Sequence, residues 1–348
     1  MALFRQQIRL YNTHMTQQAS LTIQDRIYGG VTVTDPLIID LINSKPLQRL
    51  KAISQDGASH YLMPILEANR FEHSFGAWYL AQYYRRPIEE QVACLLHDVP
   101  HTAFSHVVDF VMNDTNQEYH DHFLEKIVMA SEIPAICKAH GLDIKKVLNK
   151  ENYYLLDNRT PELSFDRWDY FMRDGYMFGL LPIESIRLIL ESAKLADING
   201  QKQFYFDSLW VASHLCITSM MVNELDYCSA NAHGSWSLLA SALKIALEQQ
   251  IIVEEDLFTN DAVVMSKMQK ANNSDINAAL DRLLSGKTFE YTTEEEAEFY
   301  GTNKARYIDP LVKTTDGFKP VSCLIPNLPE RIDIFKKQSK LIGVKQVM

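Results

Sequence analysis

The chain has 348 residues, and 47% of them are hydrophobic, so it can bury a core larger than one small domain needs. Its 34 Lys and Arg residues face 44 Asp and Glu residues, which gives a formal net charge of −10 at pH 7. An acidic surface repels a phosphate backbone, so we do not expect binding of an extended nucleic acid. Any phosphate group bound here must therefore be held by a local cluster of cations or by a metal ion.

Five cysteines are spread along the chain without a Cys-x-x-Cys pair: Cys94, Cys137, Cys216, Cys228 and Cys323. This pattern is typical of reduced thiols in a reducing compartment. The N-terminal segment is polar, unlike a secretory signal, and no segment reaches the roughly 18 uninterrupted apolar residues of a membrane span. We expect a cytoplasmic protein without membrane segments.

The N-terminal region predicts a tail followed by a hairpin. Residues 1–19 show no periodicity and are expected to be flexible. Residues 21–27 and 31–33 alternate between apolar and polar side chains around the turn sequence Tyr28-Gly29-Gly30. This alternation predicts a small β-hairpin. After Asp35 the apolar residues follow helical spacing.

From there to about residue 250 the pattern is almost entirely helical. One predicted helix begins near His73 and continues to residue 84, and others cover residues 103–112, 121–131, 165–172 and 209–249. A further helix opens at Pro87, whose ring suits a first turn, and runs to His97 and Asp98 before the next proline. Its last turn therefore presents His97 and Asp98 at a helix end, where side chains from several helices can meet.

The character of the chain changes beyond residue 250. Residues 276–284 predict one more amphipathic helix, residues 294–298 are acidic, and the tail is strand-like and interrupted by prolines. We therefore divide the chain into a flexible N-terminus (1–19), a helical core (20–250) and a smaller α+β C-terminal lobe (251–348). The expected fold is mainly α, with a small N-terminal β-hairpin.

Two strings concentrate the residues that can carry chemistry: the one that ends at His73, and residues 97–109. The chain has 11 histidines, yet His97, His101 and His106 fall close together beside two aspartates. Imidazole and carboxylate groups together suit a divalent ion such as Mn, Fe, Zn, Ni, Co or Mg. A lone histidine on an apolar helix is more often a hydrogen-bonded core residue, and a His-Asp pair also arises by chance. The combination with His73 upstream and Asp166 downstream favours a metal site.

The order of these motifs resembles the HD superfamily of metal-dependent phosphohydrolases, and more closely its deoxynucleoside triphosphate triphosphohydrolase branch. The matching strings are IQDRIYGG at 23–30, LQRLKAISQDGASHYLMP at 47–64, NRFEHSFG at 69–76, LLHDVPHTAFSHVVD at 95–109, YHDHF at 119–123 and FDRWDYFMRD at 165–174. The string KARYIDPLV at 304–312 is similar to the C-terminal lobe of that branch. The resemblance implies an HD-domain helical core over residues 20–250.

The resemblance also implies roles, residue by residue. The metal ligands are matched by His73, His97, Asp98 and Asp166. Residues that hold phosphate or lie near the scissile bond are matched by Arg70, His101, His106 and His120, and Asp109 matches a carboxylate that pairs with such a histidine. Residues that contact the sugar are matched by Gln55, Tyr170 and Asp174. Relatives assemble into dimers and tetramers, so a homo-oligomer is implied as well.

These roles are chemically coherent. A divalent metal lowers the pKa of its bound water and neutralises charge on the phosphoryl oxygens. The leaving oxygen then needs a proton, which a histidine oriented by a carboxylate can supply. His106 or His120, oriented by Asp109, is the expected general acid. Each of these histidines could instead be a hydrogen-bonded structural residue.

Five positions depart from the pattern of the branch. Asp56 stands where a leucine lies beside the sugar, so a ribose hydroxyl could be accepted there. Asn223 and Asn231 stand where an arginine and a tyrosine are expected. An asparagine in place of the arginine removes a positive charge that would bind a polyphosphate. Asn43 and Lys51 replace an aspartate and an arginine of the guanine-reading activator pocket, so activation by GTP is not expected.

Three functions remain open from the sequence. The first is metal-dependent hydrolysis of a nucleotide, foremost of a deoxynucleoside triphosphate to the deoxynucleoside and triphosphate. The second is a phosphatase or phosphodiesterase reaction on a nucleoside monophosphate or another small phosphoester. The third is a catalytically silent regulator that binds nucleotides, which the complete set of predicted metal ligands disfavours.

Overall fold

A computed structural model describes residues 20–114, 116–302, 304–338 and 342–347. The predicted flexible segment 1–19 lies outside the described residues. The fold is mainly α, with a β-hairpin near the N-terminus and further strands near the C-terminus, as predicted.

Helices dominate the described part of the chain. The α-helices are α1 (Pro36–Ile42), α2 (Lys45–Arg49), α3 (Arg70–Tyr83), α4 (Ile88–Leu96), α5 (Val107–Met112), α6 (Leu124–Met129), α7 (Ile133–Ala139), α8 (Ile144–Leu148), α9 (Phe165–Met177), α10 (Ile183–Ser192), α11 (Leu209–Leu225), α12 (Ala230–Glu248), α13 (Glu254–Leu257), α14 (Asp261–Lys270), α15 (Ser274–Leu284) and α16 (Leu328–Gln338). Short 3-10 turns cover Leu50–Ala52, Ser59–Tyr61, Tyr119–Phe123, Lys150–Asn152, Glu294–Glu296 and Val321–Cys323.

Three small sheets complete the fold of the described residues. The strands are β1 (Leu21–Asp25), β2 (Gly29–Val33), β3 (Ala193–Ile198), β4 (Gln201–Phe206), β5 (Phe289–Thr292), β6 (Phe299–Gly301), β7 (Leu311–Thr314), β8 (Gly317–Pro320) and β9 (Ile342–Gln346). β1 and β2 form the predicted hairpin, with Leu21 opposite Val33. The other sheets have the orders β3-β4-β7-β8 and β5-β9-β6.

The β3–β4 hairpin is absent from the sequence prediction, which treated this region as helical. Its strands are antiparallel and joined by Asn199 and Gly200, both with positive φ (55° and 79°). Asn-Gly is a strong signal for a two-residue hairpin turn, because both positions of such a turn need a left-handed backbone. That dipeptide was the signal that could have corrected the prediction.

The helix predicted over residues 103–112 begins only at Val107. Phe104 and Ser105 both have positive φ (61° and 53°), which a right-handed helix does not allow. The Phe104 backbone N–H donates to Asp261 Oδ1 at 2.7 Å, so a residue of α14 holds this segment in its non-helical conformation. Tertiary contacts with a distant segment therefore override the local helical pattern.

The helical region predicted over residues 209–249 is two helices. α11 ends at Leu225 because Asp226 leaves helical geometry (φ −119°, ψ −90°), and Ser229 caps the start of α12 by accepting from the Ala232 N–H at 3.0 Å. The break matters for the site, since Asp226 and Tyr227 lie in it.

Two large hydrophobic clusters hold the described part of the fold together. The first joins the β1–β2 hairpin and most of helices α1 to α11 with Ile308, Val312 and Phe335 of the C-terminal region. The second joins Val107 and Val108 with α12 to α15 and with Val344 of β9. Residues after 250 thus pack in both clusters, and the division at residue 250 stays a prediction. Within the part of the chain that the structure describes, no helix is long and apolar enough to cross a membrane.

Candidate metal centre and active site

The four predicted metal ligands meet at one point in the helical core. His73 lies on α3, His97 ends α4, Asp98 follows it, and Asp166 lies in the first turn of α9. His73 Nε2 is 3.2 Å from His97 Nε2 and 3.0 Å from Asp166 Oδ1. His97 Nε2 lies 3.4 Å from Asp98 Oδ1 and 3.6 Å from Asp166 Oδ1. Four separated side chains therefore present two ring nitrogens and two carboxylates to one small volume.

The outer nitrogens of both histidines are already bonded to the protein. His73 Nδ1 is 2.9 Å from Asp169 Oδ2, and His97 Nδ1 is 2.7 Å from the Cys94 carbonyl oxygen. A carbonyl oxygen can only accept a hydrogen bond, so the neutral His97 ring carries its proton on Nδ1. Its Nε2 atom then has a lone pair that can bind a metal ion. Histidines that bind metals are commonly held in this way, by a carboxylate or carbonyl behind the ring. The four residues therefore fit a divalent cation held by nitrogen and oxygen ligands.

The electrostatics of the four residues favour the same conclusion. Burial would raise the pKa of the Asp98 carboxyl, but Arg70, whose guanidinium lies 2.8 Å from Asp98 Oδ2, and His97 hold that pKa below its usual range. Burial opposes the charged form of His73, but hydrogen bonds with Asp166 and Asp169 raise the pKa of His73 to about 10. The carboxylates of Asp98, Asp166 and Asp169 thus favour a positive charge at this point of the core.

Asp169 is the residue of this centre that the sequence analysis missed. It accepts from the Tyr28 hydroxyl at 2.8 Å and from Arg173 Nε at 3.1 Å, and Arg173 is fully buried. On α3, a Cβ added at Gly76 would lie 1.8 Å from Asp169 Oδ1, so a glycine is required there. The aspartate inside the Trp-Asp-Tyr string of α9 was the available signal, because it lies three residues after Asp166 on the same helix face.

A group of histidines adjoins the metal centre. The His101 and His120 rings stack with centroids 3.7 Å apart, and His101 Nε2 is 3.4 Å from Asp98 Oδ1. His106 Nδ1 lies 2.8 Å from Asp109 Oδ2, which is the predicted histidine–carboxylate pair. Burial and then Arg70 lower the pKa of His106 well below its usual value. His106 is therefore neutral near pH 7 in the ligand-free protein.

The residues predicted to contact a sugar lie at another side of the same cavity. Gln55, Asp56 and Tyr170 line it, and Asp174 lies behind Tyr227, whose hydroxyl donates to Asp174 Oδ2. Carboxylate oxygens of Asp56, Asp174 and Asp226 all lie within 4.8 Å of one another. Burial and then the charge of a neighbouring aspartate raise the pKa of each of the three. Asp226 is a second residue that the sequence analysis did not select.

Nearly all the predicted site residues line one cavity or lie directly behind its lining. Its lining includes Gln55, Asp56, Arg70, His97, Asp98, His101, His106, His120, Asp166 and Tyr170. His73, Asp109 and Asp174 lie behind this lining and contact it through His97, His106 and Tyr227. Lys304 and Arg306 line the same cavity from the C-terminal region, and the sequence analysis gave them no role in the site.

The two asparagines that depart from the expected pattern have structural partners. Asn223 Oδ1 accepts from the Arg306 backbone N–H at 2.8 Å, and Asn231 Oδ1 accepts from the Phe289 backbone N–H at 2.8 Å. Neither lines the cavity. Asn43 and Lys51 line a separate cleft beside Arg26 and Phe71, on the other side of α3 from the metal centre.

The chain matches the family model of the HD domain over residues 70–174, which begin at Arg70 and end at Asp174. This span contains all four predicted metal ligands and the histidine group. The chain belongs to the HD-domain family of metal-dependent phosphohydrolases, and it is a hydrolase.

Curated relatives extend the similarity beyond the HD domain. The uncharacterized protein YdhJ of Bacillus subtilis is 34% identical over 298 residues, covering 85% of this chain and 90% of that protein. The metal-dependent phosphohydrolase cns2 of Cordyceps militaris is 28% identical and covers 84% of each chain. The deoxynucleoside triphosphate triphosphohydrolase SAMHD1 of Bos taurus is 26% identical over 60% of this chain, which spans only 42% of that enzyme.

A solved structure shares the fold along almost the whole chain. A hypothetical protein from Aquifex aeolicus superposes with a TM-score of 0.71 at 21% identity, covering 94% of this chain and 96% of its own. At that identity the likeness concerns the fold alone.

Proposed function

We propose that this hydrolase cleaves the phosphoester bond of a nucleotide, and that deoxynucleoside triphosphates, split to the deoxynucleoside and triphosphate, are its first candidate substrates. The observation that carries the proposal is the convergence of His73, His97, Asp98 and Asp166 beside a cavity that also holds three histidines. The similarity to an enzyme named as a deoxynucleoside triphosphate triphosphohydrolase supports the substrate class.

The four ligands would hold one divalent ion, for which Mn, Fe, Zn, Ni, Co and Mg are the candidates. Such an ion supplies an activated water and neutralises charge on the attacked phosphoryl group. The remaining roles belong to the chain. Arg70, already turned toward the centre by Asp98 and by Ser105 Oγ at 2.8 Å, binds a phosphoryl oxygen.

Proton transfer falls to the histidine group. In the reaction a new bond forms between the water oxygen and the α-phosphorus, and the bond from that phosphorus to the sugar 5′ oxygen breaks. The departing oxygen takes a proton from His106 or His120, and the proton that the attacking water releases restores that histidine for the next cycle. Asp109 holds His106 by Nδ1, which leaves Nε2 directed away from the carboxylate. An anionic substrate raises the pKa of His106, so the ring can carry the required proton in the complex. His101, stacked on His120, orients that ring.

The sugar is proposed to lie against Gln55, Asp56 and Tyr170, with Asp174 held in place by Tyr227. The hydroxyl groups of a sugar can donate hydrogen bonds. Asp56 Oδ2 and Asp174 Oδ1, which have no hydrogen-bond partner among the described residues, can accept them.

A second candidate is hydrolysis of a nucleoside monophosphate or another small phosphoester. The observation in its favour is that Asn223 and Asn231 bind backbone N–H groups and bring no charge to the cavity. We further propose a cytoplasmic homo-oligomer. The lack of disulfides among the five cysteines supports a reducing compartment.

The test is a substrate panel with purified protein and Mn²⁺. It contains deoxynucleoside triphosphates, ribonucleoside triphosphates, monophosphates and a generic phosphodiester. Release of triphosphate and a deoxynucleoside supports the first candidate, and release of free phosphate from monophosphates alone supports the second. Absence of turnover for every nucleotide, with metal bound, overturns the proposal.

A further inference from the structure

Five lysines and arginines of the described chain line the cavity, and three of them are paired with carboxylates. Arg70 lies 2.8 Å from Asp98, Arg167 lies 3.0 Å from Asp157, and Lys150 contacts Asp121. The other two, Lys304 and Arg306, form no ion pair within 4.0 Å with any carboxylate of the described residues.

Neutral groups fix both of these cations in the cavity wall. The Arg306 backbone N–H donates to Asn223 Oδ1 at 2.8 Å, its guanidinium donates to Gln117 Oε1, and that guanidinium lies 5.3 Å from the centre of the Tyr227 ring. Lys304 Nζ donates to the Asn116 carbonyl oxygen at 3.3 Å. The chain therefore orders two cations without neutralising them.

The field of these cations reaches His106. Burial is the largest cause of the low pKa of His106, Arg70 is the next, and Arg306 and Lys304 act in the same direction. Two unneutralised cations near His106 attract an anion to that part of the cavity. A metal ion held by His73, His97, Asp98 and Asp166 would serve the attacked phosphoryl group together with Arg70. The anion that remains to be bound at Lys304 and Arg306 is then another phosphate of the same substrate.

We propose that Lys304 and Arg306 bind the phosphate groups of the substrate beyond the one that is attacked, so that the enzyme selects nucleoside polyphosphates over monophosphates. The inference rests on the proposed function and names the substrate class of that site. Asn223 lacks the charge of the arginine expected at its position, and its amide instead anchors the backbone of Arg306. The positive charge at this wall thus comes from a different segment of the chain.

The experiment uses the full-length protein with Mn²⁺ and compares kcat/KM for dATP and dAMP. The variants are Lys304→Ala, Arg306→Ala and the double variant, with Arg306→Lys as a charge-conserving variant. Lys313→Ala is the matched control, because Lys313 is exposed on β7 in the same C-terminal region. Binding of inorganic tripolyphosphate in excess Mg²⁺, followed by calorimetry, is measured for each protein.

Each alanine substitution is expected to lower kcat/KM for dATP by about tenfold or more, since a charge-assisted hydrogen bond is lost. The value for dAMP stays near that of the wild type, tripolyphosphate binding weakens in parallel, and Arg306→Lys retains part of both. The control stays unchanged. Melting curves verify that the variants are folded.

Equal losses for dATP and dAMP, or tripolyphosphate binding that the double variant leaves intact, overturn the inference while the proposed function stands. Should no nucleotide be hydrolysed at all, the proposed function fails. In that case the tripolyphosphate titration still tests the inference. Loss of tripolyphosphate binding in the double variant supports it, and binding that the double variant retains overturns it.

Discussion

Two groups of ionisable side chains adjoin one cavity, and they differ in how the charge of their carboxylates is compensated. In the proposed metal centre three of the expected ligands have fixed partners: His73 has Asp169, His97 has the Cys94 carbonyl, and Asp98 has Arg70. The cluster of Asp56, Asp174 and Asp226 has no cation within 4.0 Å among the described residues, and Asp56 Oδ2 and Asp174 Oδ1 have no hydrogen-bond partner there.

This difference in compensation suggests different ligands for the two groups. The proposed metal centre suits a cation, and the aspartate cluster suits a neutral group. In the proposed metal centre, Arg70 and the histidines favour the ionised forms of Asp98 and Asp166, which binding of a metal ion would require. In the aspartate cluster, burial and mutual repulsion favour the protonated carboxyls. A neutral carboxyl exchanges hydrogen bonds with a hydroxyl, which suits the sugar end of a nucleotide.

The largest expected effect comes from breaking the metal centre itself. His97→Ala removes a nitrogen ligand, so bound metal and hydrolysis should both fall to background. Metal content by plasma mass spectrometry and turnover on the substrate panel measure the two. His140→Ala serves as the control, because His140 is an exposed histidine paired with Asp40. Full activity in His97→Ala would remove this residue from the metal centre.

A smaller loss is expected from the carboxylate that holds His73 from behind. Asp169→Asn keeps the size of the side chain but weakens its hold on His73 Nδ1, so metal affinity should fall by about 10- to 100-fold. Tyr28→Phe removes one hydrogen bond from the same carboxylate and should lose less. Titration of the metal-free proteins with Mn²⁺ compares them. An unchanged affinity in Asp169→Asn would mean that Asp169 serves stability alone.

The aspartate cluster should affect stability in a pH-dependent way. The folded pKa of Asp226 is raised, so the folded state keeps its proton above the unfolded pKa, and stability falls as pH rises toward the folded value. Asp226→Asn cannot ionise and should therefore gain stability relative to the wild type as the pH rises. Denaturant melts at pH 5 and pH 8 measure this. A gain that is the same at both pH values contradicts the raised pKa.

The smallest expected effect concerns sugar choice. Asp56→Leu removes an acceptor at the sugar end, so the ratio of kcat/KM for a ribonucleotide to that for its 2′-deoxy counterpart should fall by about tenfold. Asp56→Asn keeps an acceptor and is the matched variant. Competition between ATP and dATP gives the ratio directly. If both variants leave the ratio at the wild-type value, Asp56 does not contact the 2′ position.

The sequence by itself determined the chemistry of the site and much of the secondary structure. His73, the His97-Asp98 pair and Asp166 could be selected because their residue types and their order along predicted helices favour a metal site, and because the strings around them resemble a known family. The β1–β2 hairpin and α3, α4 and α9 were predictable for the same reason, since apolar periodicity and terminal prolines or caps act over a few residues.

Only the tertiary structure decided which distant residues complete the site. Asp226 enters it through a break between α11 and α12, and Lys304 and Arg306 enter from the segment between β6 and β7. Phe104 has a left-handed backbone, and its N–H donates to Asp261 of α14. In each case the deciding contact joins residues far apart in sequence, and such contacts depend on packing that no local pattern encodes.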